Sequence, residues 1–367
     1  MYRKPKILIL ILILILILIP ILSYSSTPIL KKTKLGIVPF PIAAYQPETS
    51  LLIGAMAIIY YNAYPELEDF KQDVYDVRIA YSLKNQAQFK AQFDKYFLIN
   101  DLKLHSEFRA YRFPDNFWGI GPETLDTALE EYTPVLLNFK PFLSYQLIKN
   151  LYLGFLYDLY YVYMEEVEAG GLLDTGSIEG SDGALSSGAG LIFTYDTRDS
   201  SLYTKKGMFI ESDLLFYQKF LGSDNNFMKL KINGRHFFNF YENQVFAFQY
   251  IFEEAMFDVP FTMMSRLGGA EMMRGYYDGR YMDKSYTAFQ AEYRMPIYWR
   301  IGATVFTSIG QVADAFWDYN FENIKTSFGG GLRFALDKKE RINLRADLAI
   351  TGDFGTPEFY VNILEAF

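Results

Sequence analysis

The chain has 367 residues, a net charge of −8 and no cysteine. An acidic balance of this size argues against nucleic acid as a partner, and the missing cysteines exclude a disulfide framework. Half of the residues are hydrophobic and aromatics abound, with Tyr 30 and Phe 33 against Trp 3. Beyond the first two dozen residues they are dispersed, with charges interrupting every segment.

Residues 1–25 read as a secretory signal peptide. Arg3, Lys4 and Lys6 precede an apolar run from Ile7 to Leu22 that only Pro20 interrupts, and Ser23-Tyr24-Ser25 offers a small–x–small cleavage pattern. The run is shorter than the ~20 residues of a spanning helix. The alternation that follows has a period of two. Arg341 to Leu348 places Ile342, Leu344, Ala346 and Leu348 on one face, opposite Arg341, Asn343, Arg345 and Asp347. Met208–Tyr217 and Asn226–Phe237 repeat the pattern, with Glu211 and Asp213, then Lys229, Lys231, Asn233 and Arg235, on the polar side.

Such strands predict an all-β fold: a 16-stranded antiparallel transmembrane β-barrel spanning 26–367, apolar outside and polar inside. The sixteen fall near 35–45, 51–62, 73–84, 86–98, 100–113, 132–146, 150–166, 187–198, 206–220, 224–240, 243–258, 284–297, 299–312, 325–336, 341–352 and 357–367. With both ends in the periplasm, the long connections 114–131, 167–186, 259–283 and 313–324 all face outward. The turn 63–72 is long for the periplasmic side. The first strand carries Pro39 and Pro41, each lacking a ladder N–H. The last places Phe359, Val361, Ile363 and the terminal Phe367 on one face, interrupted by Glu365. A weak seam between strands one and sixteen, marked by Pro39, Pro41 and Phe367, is expected.

Arg266 to Arg294 holds two incompatible patterns. From Tyr286 onward it alternates as a strand; before that it is a glycine-rich loop with two adjacent tyrosines. Within it, Leu267-Gly268-Gly269 precedes Met273-Arg274-Gly275-Tyr276. Farther back, Thr194-Tyr195-Asp196-Thr197-Arg198-Asp199 is followed by Lys206-Gly207, and the strand after the loop contains Glu292-Tyr293-Arg294-Met295-Pro296-Ile297. Together these motifs resemble the bacterial surface antigen family, the BamA/TamA-type outer-membrane assembly factors and their two-partner-secretion relatives, over most of the mature chain.

The resemblance implies that loop 259–283 folds into the lumen, where Arg274, Gly275 and Tyr276 form a latch against acidic residues on strands twelve and thirteen. Glu292 shares its face with Gln290 and Arg294 and is the first acidic partner. On strand thirteen the family's F-x-D-x-G reads Phe306-Thr307-Ser308-Ile309-Gly310, with Ser308 in the aspartate's place. Arg274 is thus expected to lose one partner, or to find it in Asp278, Asp283 or Asp347. Gly275, Gly268 and Gly269 read as positions of positive φ or close approach. Asp196, Arg198, Asp199 and Gly207 form the family's periplasmic turn, read as self-paired. Family members that assemble other proteins carry periplasmic POTRA domains, and only about ten residues separate the expected cleavage site from the first strand, so a barrel lacking them is expected.

Catalytic chemistry finds little support. His105 and Ser106 are adjacent on a strand and point to opposite faces; His236 falls on the apolar face. Asp174, Glu179 and Asp182 lie in an outer loop without calcium-site spacing. No cofactor and no metal are expected. The leading reading is a non-enzymatic, integral protein of the bacterial outer membrane that assists insertion or translocation of other outer-membrane proteins through the seam. Its partners would be lipid, unfolded clients and periplasmic accessory proteins. The alternatives are a passive outer-membrane channel or structural surface protein and, third, a lipid- or peptide-directed barrel enzyme.

Overall fold

A computed structural model describes residues 34–62, 71–98, 100–200, 203–241, 243–337 and 342–367. The expected signal segment and most of the turn 63–72 lie outside the described residues. Sixteen long strands run up and down: β1 (Lys34–Gln46), β2 (Ser50–Asn62), β3 (Asp73–Ser82), β4 (Ala87–Phe97), β5 (Leu102–Arg112), β6 (Glu130–Ile148), β7 (Leu151–Val167) and β8 (Gly183–Asp196) form the first half. The second half holds β9 (Gly207–Tyr217), β10 (Phe227–Tyr241), β11 (Gln244–Phe257), β12 (Ser285–Tyr298), β13 (Ile301–Ala313), β14 (Lys325–Asp337), β15 (Ile342–Thr351) and β16 (Glu358–Ile363). Each pairs antiparallel with its neighbour, and β1 returns to β16, closing the sheet into a barrel. A short segment, Asp115–Phe117, pairs alongside β6.

Alternation sorts the side chains. Ile53, Ile79, Phe155, Val305, Leu332 and Leu348 stand exposed on the outer wall, as strands bathed in lipid require. The inner wall carries ion pairs between strands, among them Lys90–Glu107 and Lys140–Asp213 at 2.5 Å and Lys231–Glu253 at 2.9 Å. Connections after odd-numbered strands form one end of the barrel, here the loop end, and those after even-numbered strands form the turn end. The loop end carries the long segment 258–284, which enters the lumen and brings the hydrophobic core with it. Leu267, Met272, Met273 and Tyr276 of this segment pack on Tyr286, Ala288 and Val312 of β12 and β13. Phe261 and Met263 pack with Phe117 and Tyr132.

The seam is thinly bonded. β1 and β2 share thirteen register pairs, from Lys34 opposite Asn62 to Gln46 opposite Ser50. β1 and β16 share a single pair, Tyr45 opposite Val361, beside a tilted contact of the Tyr45 and Phe359 rings at 6.0 Å. Pro39 and Pro41 lie on the exposed face of β1, a strand with little of one edge engaged, where proline is tolerated.

One expectation fails at the chain's end. Phe367 does not extend the seam face, because β16 stops at Ile363 and Leu364 adopts a left-handed backbone with φ 73°. That single reversal turns the next residues inward. Glu365 accepts from Arg333 Nε at 2.7 Å and from Asn343 Nδ2 at 2.8 Å. Ala366 and Phe367 pack against Phe237, Val245 and Ala247 of β10 and β11, and Arg294 Nη2 donates to the Phe367 carbonyl at 2.9 Å. The charge of Glu365, unwelcome on a lipid face, is what the inward turn satisfies. Truncating Phe367 to Ala is expected to destabilise the barrel by about 3 kcal/mol, the low end for a buried Phe→Ala change. The urea midpoint in detergent micelles checks this.

Candidate functional site

The luminal segment is built from a ribbon and a tip. Ser265–Leu267 pairs with Tyr281–Asp283, and Gly121 N–H donates to Met282 O at 2.8 Å from the loop above. The tip turns on glycines. Gly268 has φ +120°, and a Cβ there would lie 2.0 Å from the Tyr277 carbonyl oxygen; Gly275 has φ +108° and would press a Cβ on Ile350 at 3.2 Å. No other residue fits either place without moving backbone.

These turns aim Arg274 at the inner wall. Its guanidinium is fully buried, with Nη2 2.7 Å from Glu292 Oε2 and Nη1 2.7 Å from Asp347 Oδ2. Its flat face rests on the Phe306 ring, 3.5 Å from the centroid. Buried charge is costly unless paired and hydrogen-bonded, and both carboxylates are also held from the other side. Arg294 Nε donates to Glu292 Oε1 at 2.8 Å. Arg333 reaches Asp347 Oδ1, Arg345 Nη1 lies 3.5 Å from Asp347 Oδ2, and Arg345 Nη2 caps the Ala270 carbonyl at 3.0 Å. Gly275 N–H donates to Tyr360 Oη on β16 at 2.9 Å, and Tyr276 Oη donates to Thr326 O at 3.2 Å.

Of the residues expected here, Arg274, Gly275, Tyr276 and Glu292 come together. Ser308 is buried on β13 opposite Gln290, and its Oγ has no hydrogen-bond partner among the described residues. Gly310 lies opposite Ala288, where a Cβ would meet the Ala288 Cβ at 2.9 Å. The second carboxylate comes from β15. Of the three candidates Asp347 takes the role; Asp278 and Asp283 stay in the upper part of the loop.

Sequence reasoning missed the device that lets an arginine reach from β12 to β15. Gly329 and Gly331 on β14 leave the intervening wall bare. A Cβ on Gly329 would lie 2.5 Å from the Phe306 ring, and one on Gly331 would lie 2.0 Å from Asp347 Oδ1. Arg333, Arg345 and Glu365 were missed as well. The available signal was a triple glycine inside a strand, which marks close approach of another group.

A second set of contacts holds the top of the loop. Arg266 Nη2 lies 2.7 Å from Asp115 Oδ2 and donates to Asp278 O at 2.8 Å. Tyr277 Oη donates to Asp115 Oδ1 at 3.0 Å, and Arg280 Nη2 lies 2.6 Å from Asp126 Oδ1. Asp278 N–H donates at 2.8 Å to Glu48 Oε1, in the turn joining β1 to β2. Glu48 is buried, and burial pushes its carboxyl up to about 7, with Asp278 and Asp115 adding in the same direction.

At the turn end, Arg198 Nη2 lies 2.9 Å from Asp196 Oδ2 and stacks over Phe209 at 4.3 Å. Asp199 Oδ1 accepts the Lys205 N–H at 2.9 Å, and Gly207 has φ +111°. The group is a self-paired turn. His105 Nδ1 lies 2.8 Å from Asp94 Oδ1 and its ring stacks on Phe142. Asp174 and Glu179 are engaged by Gly170 N–H and by the Asn225 amide. Among the described residues no three His, Asp or Glu groups are placed to share a metal ion.

Removing one member of a buried ion pair costs about 3–5 kcal/mol when its partner is left bare. Arg294, Arg333 and Arg345 remain beside the two carboxylates, so Arg274→Ala is expected at about 3 kcal/mol. Asp347→Asn should expose loop 259–283 to protease, whereas Ser308→Ala should not; limited proteolysis with intact-mass readout distinguishes them. A carboxyl whose pKa is raised on folding holds more protons folded than unfolded. The Glu48 contribution to stability therefore falls as pH rises from its ordinary 4.5 to about 7. Glu48→Gln should flatten that decline, read as the urea midpoint across the same pH range.

Residues 77–363 match the Omp85 superfamily domain. Among solved structures, the fold is similar to BamA from Haemophilus ducreyi lacking POTRA domains 1–3, with TM-score 0.61, 13% identity, and coverage of 91% of this chain and 71% of that one. It is similar also to CdiB from Acinetobacter baumannii (TM-score 0.58, 12% identity, 91% of this chain and 60% of that one). CdiB from Escherichia coli gives TM-score 0.56 and 11% identity over 92% of this chain and 64% of that one. The chain thus spans less than two thirds of either CdiB, and at these identities the likeness speaks to the fold alone. No curated protein matches the chain. With a closed sixteen-stranded barrel and a family match over most of its length, the chain belongs to the Omp85 superfamily.

Proposed function

We propose that this protein is an outer-membrane insertion or translocation factor that works through the seam between β1 and β16. The observation that carries the reading is the single register pair, Tyr45 opposite Val361, that joins these strands. Most of the β1 edge is left without a strand partner, and a free edge is a template on which an incoming strand can add. A client hairpin would pair with β1 as the seam parts, its apolar face meeting lipid directly. The segment carrying Arg274 serves as the latch. It braces β12 and β15 against each other and touches β16 through Tyr360 and the β1–β2 turn through Glu48, so both sides of the seam are tied to one plug. Accessory proteins and periplasmic delivery belong to this reading too.

A standing channel is the poorer account, because Leu267, Met272, Met273 and Tyr276 pack inside the lumen against β12 and β13.

The chain lacks cysteine, so the seam can be locked cleanly. Directly opposed residues of an antiparallel pair lie about 4.5–5.5 Å apart at Cα, within disulfide reach. The double variant Tyr45→Cys with Val361→Cys is compared, oxidised and reduced, for its effect on folding of a urea-denatured small barrel into liposomes. Acceleration by the reduced form that the oxidised form lacks is the expected result. Equal acceleration by both forms would remove the seam from the mechanism, and none by either would leave the insertion reading without support.

A further inference from the structure

The loop joining β13 to β14, residues 314–324, takes no part in the luminal plug. It folds back over the outside of the barrel. Glu253 faces the lumen, where it pairs with Lys231, so Glu254 and its ladder partner Ser285 face outward. The loop covers this pair. Tyr319 Oη lies 2.7 Å from Ser285 Oγ, which also donates to Glu254. Lys284 Nζ lies 2.5 Å from Asp314 Oδ1. The Tyr319 hydroxyl is thus turned to the wall, whereas Phe316, Trp317 and Phe321 stand away from it beside the exposed Asp318 and Glu322. Phe316 is half exposed, Trp317 68% and Phe321 92% exposed.

The height of this patch follows from the strands. The apolar band of a transmembrane barrel is about 25 Å tall, which takes about ten residues of a strand tilted by about 40°. At the turn end the band is bounded by the exposed Tyr298 and Trp299. From there β13 (Ile301–Ala313) spans the band and delivers residues 314–321 to its opposite edge. Directly below, Tyr250, Phe289 and Ile309 are exposed on the same wall. The aromatic patch is therefore continuous with the lipid-facing surface, and aromatic side chains prefer the head-group boundary.

We propose that residues 316–321 form an interfacial anchor, with Phe316, Trp317 and Phe321 seated in the head-group and upper acyl region at the loop end, and the lipid surface as their partner. The chain has Trp 3, so Trp317 can be made its only tryptophan by Trp118→Phe and Trp299→Phe. This full-length variant is refolded into phosphatidylcholine vesicles whose chains are unbrominated, brominated near the head group, or brominated near the bilayer centre. Shallow bromine should cause the largest loss of emission, deep bromine a smaller one, and iodide in the water little. A second variant, Trp118→Phe with Trp317→Phe, leaves Trp299 as a reporter of barrel insertion, and heat-modifiable mobility establishes folding of both. If Trp299 is quenched by lipid while Trp317 is quenched by iodide alone, the barrel reading stands and the anchor is overturned; such a loop would be free for a protein partner. Stronger quenching of Trp317 by deep bromine would equally overturn the interfacial placement.

Discussion

A guanidinium sealed inside a barrel must be paired, and the pairing of Arg274 with Glu292 and Asp347 organises the rest of this molecule. The two carboxylates sit on strands that are not neighbours. To bring both within 2.7 Å of one arginine, the wall between them must be stripped to glycine at 329 and 331 and floored by the Phe306 ring. Arg294, Arg333 and Arg345 then balance the carboxylates from the outside of the triad. Four guanidiniums and the carboxylates of Glu292, Asp347 and Glu365 form one connected network. The plug is therefore part of the wall's electrostatics, and not a lid resting on it.

The fold inverts the plan of a soluble β-protein. The outer face carries exposed aliphatic and aromatic side chains, and the packed core is luminal, made where loop 258–284 meets β12 and β13. Ladder hydrogen bonds hold fifteen junctions of the barrel. The sixteenth, between β1 and β16, leans on one register pair and on indirect ties through the plug, from Gly275 to Tyr360 and from Asp278 to Glu48. Cohesion there comes from the inside of the barrel more than from its wall.

Much of this was legible in the sequence, because a period of two reports faces well. All sixteen strands, the inward placement of Glu292 and the strained backbone at Gly268 and Gly275 follow from residue type and alternation. Depth and reach do not. Ser308 in the aspartate position showed that a partner was missing, but alternation could not choose among Asp278, Asp283 and Asp347, which differ in height along the lumen. Phe367 was misplaced because the alternation was carried past Ile363. Glu365 was the available warning: a carboxylate on a would-be lipid face signals that the strand has already ended.

The inward turn at Leu364 has a practical side. Phe367 lies among Phe237, Val245 and Ala247, with its carbonyl held by Arg294, so a peptide fused behind it begins inside the wall. A tag joined there starts two residues from Glu365, whose carboxylate Arg333 holds. Its presence would unsettle that network, and an epitope is better carried on one of the long loops at the other end.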